Sequence, residues 1–439
     1  MQEGVKMKQF KLLVILFVLF LSTSLFAQTW TLQTGHSVTT QDFNSAWAVD
    51  ANICWMCGTV SASSNNAIVI KTTNGGTNWT TVVGDMPVSS LGLYTISATS
   101  DQNCWVGAGD GSVYHTTNGG TNWSLVIMPT PATSFVDVIH FFNANTGFIL
   151  GDPAGTTWGY YWTTNGGANW TSAGPSFSGS EAGWNNSYAA LDTGHIWFGT
   201  NNTKIYKGGL HGGFTSSATT NLNSFGVAFM NATTGVATFT NSSNAVLSNN
   251  TTTNGGTTWT SGFTPAGSQL AVKCILGTPY VWTAGAGASG GAIYFSSNYG
   301  VNWTLQNSPT YSVNALTFAN ANTGWAGTST HNIYKWQGNL NVVNTNGNTV
   351  PDNFKLEQNY PNPFNPTTNI NFSIPKASFV TLKVYNSTGQ EVMTLINDEY
   401  KAASNYTVSA NLSSLSSGVY YYTIRTADYT ATKKMMLVK

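Results

Sequence analysis

An eight-residue segment, TTNGGTNW at residues 72–79, returns along this chain at a nearly fixed spacing, and that repetition constrains the fold more than any other feature. It recurs as TTNGGTNW at 116–123, TTNGGANW at 163–170, TTNGGTTW at 252–259 and SSNYGVNW at 296–303. The closing tryptophans are 44, 47, 89 and 44 residues apart. Since 89 is about twice the other intervals, one degenerate copy belongs between Trp170 and Trp259. Residues 207–214 (KGGLHGGF) supply it, with Phe214 in the tryptophan position. About twenty residues before the boxes stands a second element, an aromatic residue followed shortly by glycine, as in Trp55 to Gly58, Trp105 to Gly107, Trp197 to Gly199, Trp282 to Gly285 and Trp325 to Gly327. Each unit reads as several short strands separated by Gly/Asn turns, without a helical period. A repeat of 40 to 50 residues holding several strands is the signature of a β-propeller, which carries four to eight four-stranded blades.

Counting closes the ring. The aromatic positions that end a box are Trp30, Trp79, Trp123, Trp170, Phe214, Trp259 and Trp303, which makes seven. The strands leading into a box end near Lys71, His115, Trp162, Tyr206, Thr251, Phe295 and Lys335, again seven. The first series begins without a preceding strand and the second ends without a following one. Residues 30–33 (WTLQ) match 303–306 (WTLQ), so the N-terminal strand is expected to complete the last blade and remove its free edge. The expected fold is all-β: a seven-bladed β-propeller over residues 28–340, then a small Ig-like β-sandwich.

The box pattern resembles the Asp box, or BNR repeat, of sialidase-type propellers, and the whole arrangement resembles the photosystem II assembly factor family. The five clear copies carry Asn74, Asn118, Asn165, Asn254 and Asn298 where that pattern has Asp. An amide keeps the oxygen that accepts bonds from the turn's own amides but lacks the charge, so a structural role survives and calcium binding is not expected. Trp79, Trp123, Trp170, Trp259 and Trp303 are expected to pack over the hairpin bases. The boxes are scaffold.

Charged residues make up 7% of the chain, against ~25% in typical soluble proteins. Aromatics at 13%, with 16 tryptophans, argue against disorder, and the surface must be solvated by Asn, Thr, Ser and Gly. The formal net charge is zero, so nucleic acid is not an expected partner. Cys54 and Cys57 stand three apart on one strand and point to opposite faces, which suits buried free thiols better than a bridge or a metal site. Residues 1–27 read as a cleaved signal peptide: Lys6, Lys8 and Lys11, the apolar run 12–21, then a polar stretch ending at Ala27. The run is shorter than the ~20 residues a spanning helix needs.

After a polar linker, 341–350 (NVVNTNGNTV), the repeat stops and short alternating strands fill 351–439. YPNPFNPTT at 360–368, VYNSTGQEV at 384–392, LSSGVYYYTI at 415–424 and the terminal KKMMLVK resemble the type A C-terminal sorting domain of the type IX secretion system. The resemblance implies export to the outside of the cell and the secretion translocon as a partner.

The chemistry of a sialidase is excluded by one count. That enzyme class holds a carboxylate with clustered arginines, and the only arginine here is Arg425, in the sorting domain. A glycoside hydrolase of another kind needs two facing carboxylates. The propeller has nine acids, all before the fifth blade, and no pairing is indicated. No cofactor, metal or oligomer is expected. Should a ligand site exist, it is expected at the loops entering the blades, on the face opposite the boxes. The longest such loop, 171–187, brings Glu181 and Trp184, and the neighbouring blade brings Asp152 and Trp158. Two acids and two aromatics could hold a sugar by stacking and carboxylate bonds. A secreted propeller that binds an extracellular glycan or protein is the first reading. A polysaccharide-active hydrolase and an assembly-factor-like chaperone are the alternatives.

Overall fold

The computed structural model describes residues 29–37, 41–60, 66–126, 133–177, 179–219, 223–240, 246–338, 343–345, 351, 353–375, 378–401, 404–426 and 428–439. The expected signal segment 1–27 lies outside them. Seven four-stranded antiparallel sheets form the blades, each running in chain order from the inner to the outer strand. The inner strands are Asp42–Ala48, Leu93–Ala98, Val136–Phe141, Tyr188–Asp192, Asn223–Phe229, Gln269–Cys274 and Val313–Asn320, for blades 1 to 7. Blade 7 takes its outer strand from the other end of the propeller: Thr29–Gln33 pairs with Ile333–Gln337, Trp30 opposite Trp336. The clasp expected from the count is present.

The two sequence elements of each repeat have separate mechanical jobs. Trp55, Trp105, Trp197, Trp282 and Trp325 sit on second strands and are fully buried. Trp105, Trp197 and Trp282 stack on Phe141, Phe229 and Phe318 of the next blade, at 3.5, 3.8 and 4.2 Å between ring centroids. The glycine that follows lets the next blade close in. A Cβ on Gly107 would lie 2.5 Å from Val136 Cγ1, and one on Gly327 would lie 2.7 Å from Phe43 Cβ. Cys54 and Cys57 pack into different inter-blade layers, as free thiols.

The box joins a blade's third and fourth strands. In all five clear copies the first residue's hydroxyl accepts from the second glycine's N–H, at 2.9–3.1 Å. The Asn Oδ1 accepts the N–H four residues on, at 2.9–3.0 Å. In blade 2 the tryptophan ties the hairpin to the chain leaving blade 1: Trp123 Nε1 donates to Val82 O at 3.0 Å, and its N–H donates to Asp85 Oδ1 at 2.7 Å. Only the oxygen of the amide is used at Asn74. Asn74→Asp is therefore expected to leave stability within about 0.5 kcal/mol of the parent, and Asn74→Ala to cost about 1 kcal/mol, measured by denaturant unfolding. Equal losses in both variants would mean that the oxygen is not what the turn needs.

Blade 4 departs from the expected degenerate box. Lys204–Gly209 and Gly212–Ala218 are joined by Leu210 and His211 alone, so this hairpin has a tight turn and a seven-residue outer strand. Phe214 packs against Tyr160 and Phe198.

The C-terminal residues form two further four-stranded sheets around one core that includes Ile370, Phe372, Leu382, Val408, Tyr422 and Met435. The PNPFNP segment holds the last strand, Thr430–Leu437: Asn362 Oδ1 accepts from Met436 N–H, and Phe364 exchanges backbone bonds with Met436 and Val438. One expectation needs correction. Val343–Thr345, read as linker, pairs with residues 406–408 as an edge strand of the sandwich.

Candidate functional site

The four residues expected at a mouth lie on neighbouring stretches of blades 3 and 4, Trp158 and Glu181 buried in the wall and Asp152 and Trp184 part-exposed. Trp158 is buried between blades 3 and 4, and its Nε1 donates to Glu181 Oε2 at 3.1 Å. The Tyr206 hydroxyl donates to the same oxygen at 3.0 Å, and Lys204 Nζ pairs with Oε1. Burial and the adjacent carboxylate push the Tyr206 hydroxyl up to about 12, so it remains a donor. Every acceptor position of Glu181 that faces protein is occupied. Trp184 packs against Phe225 of blade 5, rings tilted by 39° at 4.0 Å. Asp152 Oδ1 accepts the Gly183 N–H at 2.8 Å. The expected sugar-stacking arrangement is corrected for Trp158 and Glu181, which are buried in bonds that anchor the loop, whereas Trp184 is part-exposed and lines a second cavity with Asn44, Phe225 and Leu270.

That loop crosses the central channel. Asn186, at φ 60°, donates through Nδ2 to Tyr94 O at 3.0 Å and Asn44 O at 3.3 Å, and its Oδ1 accepts from the Ser45 hydroxyl at 3.1 Å. Its own N–H donates to Asp137 O at 3.0 Å. One side chain thus ties the approach to blade 4 to blades 1 and 2 across the axis, while its backbone binds blade 3. Asn is among the few non-glycine residues that take this backbone conformation readily. Gly183 lies between Asp137 and Asp152. Asp137 is buried, and burial together with the charge of Asp152 drives its carboxyl well above the usual range. Gly183 therefore stands between the buried Asp137 and the part-exposed Asp152.

The channel is open at its other end. A cavity of about 190 Å³ is lined by the inner strands of blades 1 and 3 to 7, with Leu276, 55% exposed, at its rim. Leu276 belongs to the loop between the first and second strands of blade 6, so this mouth lies on the box face. The sequence pointed to the opposite face, because the loop that looked most like a site turns inward as a plug.

Trp47, Ala189, Lys273 and Thr317 form one level of this cavity, each paired across its blade with a buried second-strand tryptophan. His140, opposite Phe148, completes the level in blade 3. His140 Nδ1 lies 3.2 Å from the Tyr188 hydroxyl, and its ring meets Trp47 edge-on at 5.2 Å. Burial pushes the imidazole down to about 3, helped by the charge of Lys273, so at neutral pH it is uncharged. Lys273 Nζ lies 5.1 Å from the Tyr188 ring centre, and burial lowers its pKa. The propeller's other four lysines are in use. Lys71 and Lys335 donate to backbone carbonyls of the next blade, Lys207 lies over Trp197, and Lys204 pairs with Glu181. Among the described residues, no carboxylate pairs with Lys273. Sequence reasoning passed over it. Aligning the repeats on their second-strand tryptophans, and reading eight or nine residues upstream, would have picked out this whole level.

Comparison with known proteins agrees with the architecture. Residues 44–160 match the family described as photosynthesis system II assembly factor YCF48, and residues 358–439 match the secretion system C-terminal sorting domain. No curated protein matches the chain. Among solved structures it is similar to YCF48 bound to D1 peptide, at 15% identity and TM-score 0.55 over 71% of this chain and 97% of that one. YCF48 from Cyanidioschyzon merolae gives 16% identity and TM-score 0.55 over 70% and 99%. The WD40 β-propeller domain of Doa1 gives 11% and 0.51 over 71% and 97%. At such identities the likeness establishes the fold alone. The chain thus joins a β-propeller, of which residues 44–160 match the assembly-factor model, to a type IX secretion sorting domain.

Proposed function

We propose that this chain, exported by virtue of its sorting domain, is an extracellular binding propeller that engages a polypeptide at the box-face mouth of its central channel without turning it over. The observation that carries the reading is the distribution of polar groups. The channel offers an aromatic-lined cavity with a neutral histidine and a lone cation, while Asp137 and Glu181 are buried in the wall and Asp152 is bound to the Gly183 N–H. General acid–base hydrolysis needs carboxylates within reach of one bond, and the cavity lining contains none. A polypeptide is favoured over a glycan for two reasons. Trp158, one of the two aromatics expected to stack on sugar rings, is buried, and about 190 Å³ is small beside the ~300–1,000 Å³ of pockets for whole drug-sized molecules. It suits a side chain or a chain end. The solved neighbour with a bound peptide supports the same choice.

The terminal strand of the sandwich, Thr430–Leu437, pairs with Gly418–Arg425 at the edge of its sheet. It is the element proposed to meet the secretion translocon, since the first half of its outer edge, ahead of the stretch held by residues 358–364, can extend a partner's sheet. The test of the binding reading presents immobilised full-length protein with a panel of defined polysaccharides and peptides. Saturable retention of a peptide, with no new reducing ends and no new N-termini, is expected. Release of cleaved product would overturn the reading in favour of a hydrolase.

A further inference from the structure

We infer that the channel cavity is a binding site for a single carboxylate attached to an apolar or aromatic body, held by Lys273. The inference deepens the reading above, and rests on it only for the idea that a ligand uses this channel.

The charge count at the site is one. Lys273 supplies an ammonium with three donors and no acceptor, and among the described residues no acid answers it. His140, Tyr188 and Trp47 surround it without adding charge, because burial holds the imidazole and the phenol neutral. Contact with the Tyr188 ring offsets part of the cost of desolvating the cation, but a ring face does not neutralise it. A dianion such as phosphate would bring more charge than the site can answer, and the propeller has no arginine with which to clamp it in two places. One carboxylate balances the site.

The walls fix the rest of the ligand. Trp47, Phe318, Leu191 and Leu276 give the cavity an apolar lining around the cation. The volume admits a group of the size of a benzyl side chain, with the carboxylate inward at Lys273 and the remainder toward the open mouth. Either a free carboxylic acid or the end of a protein chain presents this chemistry.

The experiment titrates the full chain with phenylacetate and with phenylacetamide, its uncharged counterpart of the same shape. Two blocked peptides ending in phenylalanine, one with a free carboxylate and one amidated, form the second arm. Binding of the acid roughly tenfold or more tighter than the amide is expected in at least one pair, weakening with added salt. The same preference should vanish in Lys273→Met, which keeps an unbranched chain, and persist in part in Lys273→Arg. Tighter binding of the peptide acid than of phenylacetate assigns the site to chain ends, and the reverse assigns it to free acids. Equal binding of acid and amide by the unmodified protein would overturn the inference without any variant. So would an acid preference that survives in Lys273→Met. If neither acid binds while a panel peptide is still retained, the carboxylate site fails and the binding reading stands.

Discussion

Deletion of residues 29–33 is expected to remove roughly half of the propeller's stability, a larger loss than truncation of any one box tryptophan. The strand supplies five consecutive pairs to Ile333–Gln337 and is the outer strand of blade 7. Trp30 is 8% exposed and packs against Trp336 at 5.6 Å and Phe318 at 5.9 Å. Truncating a buried tryptophan costs about 3–5 kcal/mol by itself, and a domain's net stability is about 5–15 kcal/mol. Without the strand, Trp336 faces water and the backbone groups of Ile333–Gln337 become a free sheet edge, a template for aggregation. Denaturant unfolding followed by tryptophan fluorescence should show the loss, and Trp30→Ala should reproduce the larger part of it. A deletion variant whose midpoint matches the intact chain would mean that the ring closes without its clasp.

Glu181→Ala is expected to cost about 3–5 kcal/mol, because it unpairs the Lys204 ammonium and strands the Trp158 indole N–H and the Tyr206 hydroxyl in a wall built around the missing carboxylate. The cost falls on the buried Trp158 N–H and Tyr206 hydroxyl, which lose their acceptor, more than on Lys204, whose side chain is 28% exposed and can turn to water. Glu181→Gln, which keeps one acceptor oxygen, should cost less. The damage should spread along the loop: amide exchange at Gly183, bound to Asp152, and at Asn186, bound to Asp137, should accelerate together. If Glu181→Ala were instead as stable as the parent and defective only in binding, the residue would be a ligand contact and the buried network would have the wrong role.

The architecture was legible because its signals are local and repeated. A box needs a hydroxyl, an amide oxygen, two successive positions at positive φ, the second always glycine, and a tryptophan within eight residues, and each is dictated by turn chemistry that recurs from blade to blade. Even the clasp could be read, since a missing strand at one end matched a spare one at the other. The blade 4 hairpin was misread because KGGLHGGF has the glycines of a box but not the hydroxyl and the amide that shape one. The site was legible least. Its level takes one residue from each of several inner strands, so Trp47, His140 and Lys273 are strangers in sequence and neighbours only around the axis. Asp152, Trp158, Glu181 and Trp184 drew attention as an acid–aromatic cluster in a long loop. Composition cannot tell a loop that offers such groups to solvent from one that spends them on its own anchorage. Asn186 decided the matter, and an asparagine in a chain rich in asparagine carries no signal.

A partner is expected to enter at the box-face mouth of the channel. The direct measurement compares peptide retention by two variants of the full chain. Ala48→Trp places an indole in the cavity lining, where Ala48 is part-exposed, while Leu125→Trp enlarges a residue 59% exposed on the outer strand of blade 2. With both variants folded by near-ultraviolet circular dichroism, Ala48→Trp should weaken retention of the bound panel peptide by roughly tenfold or more, and Leu125→Trp should leave it unchanged. Undiminished retention by Ala48→Trp would contradict the account and move the binding surface away from the channel.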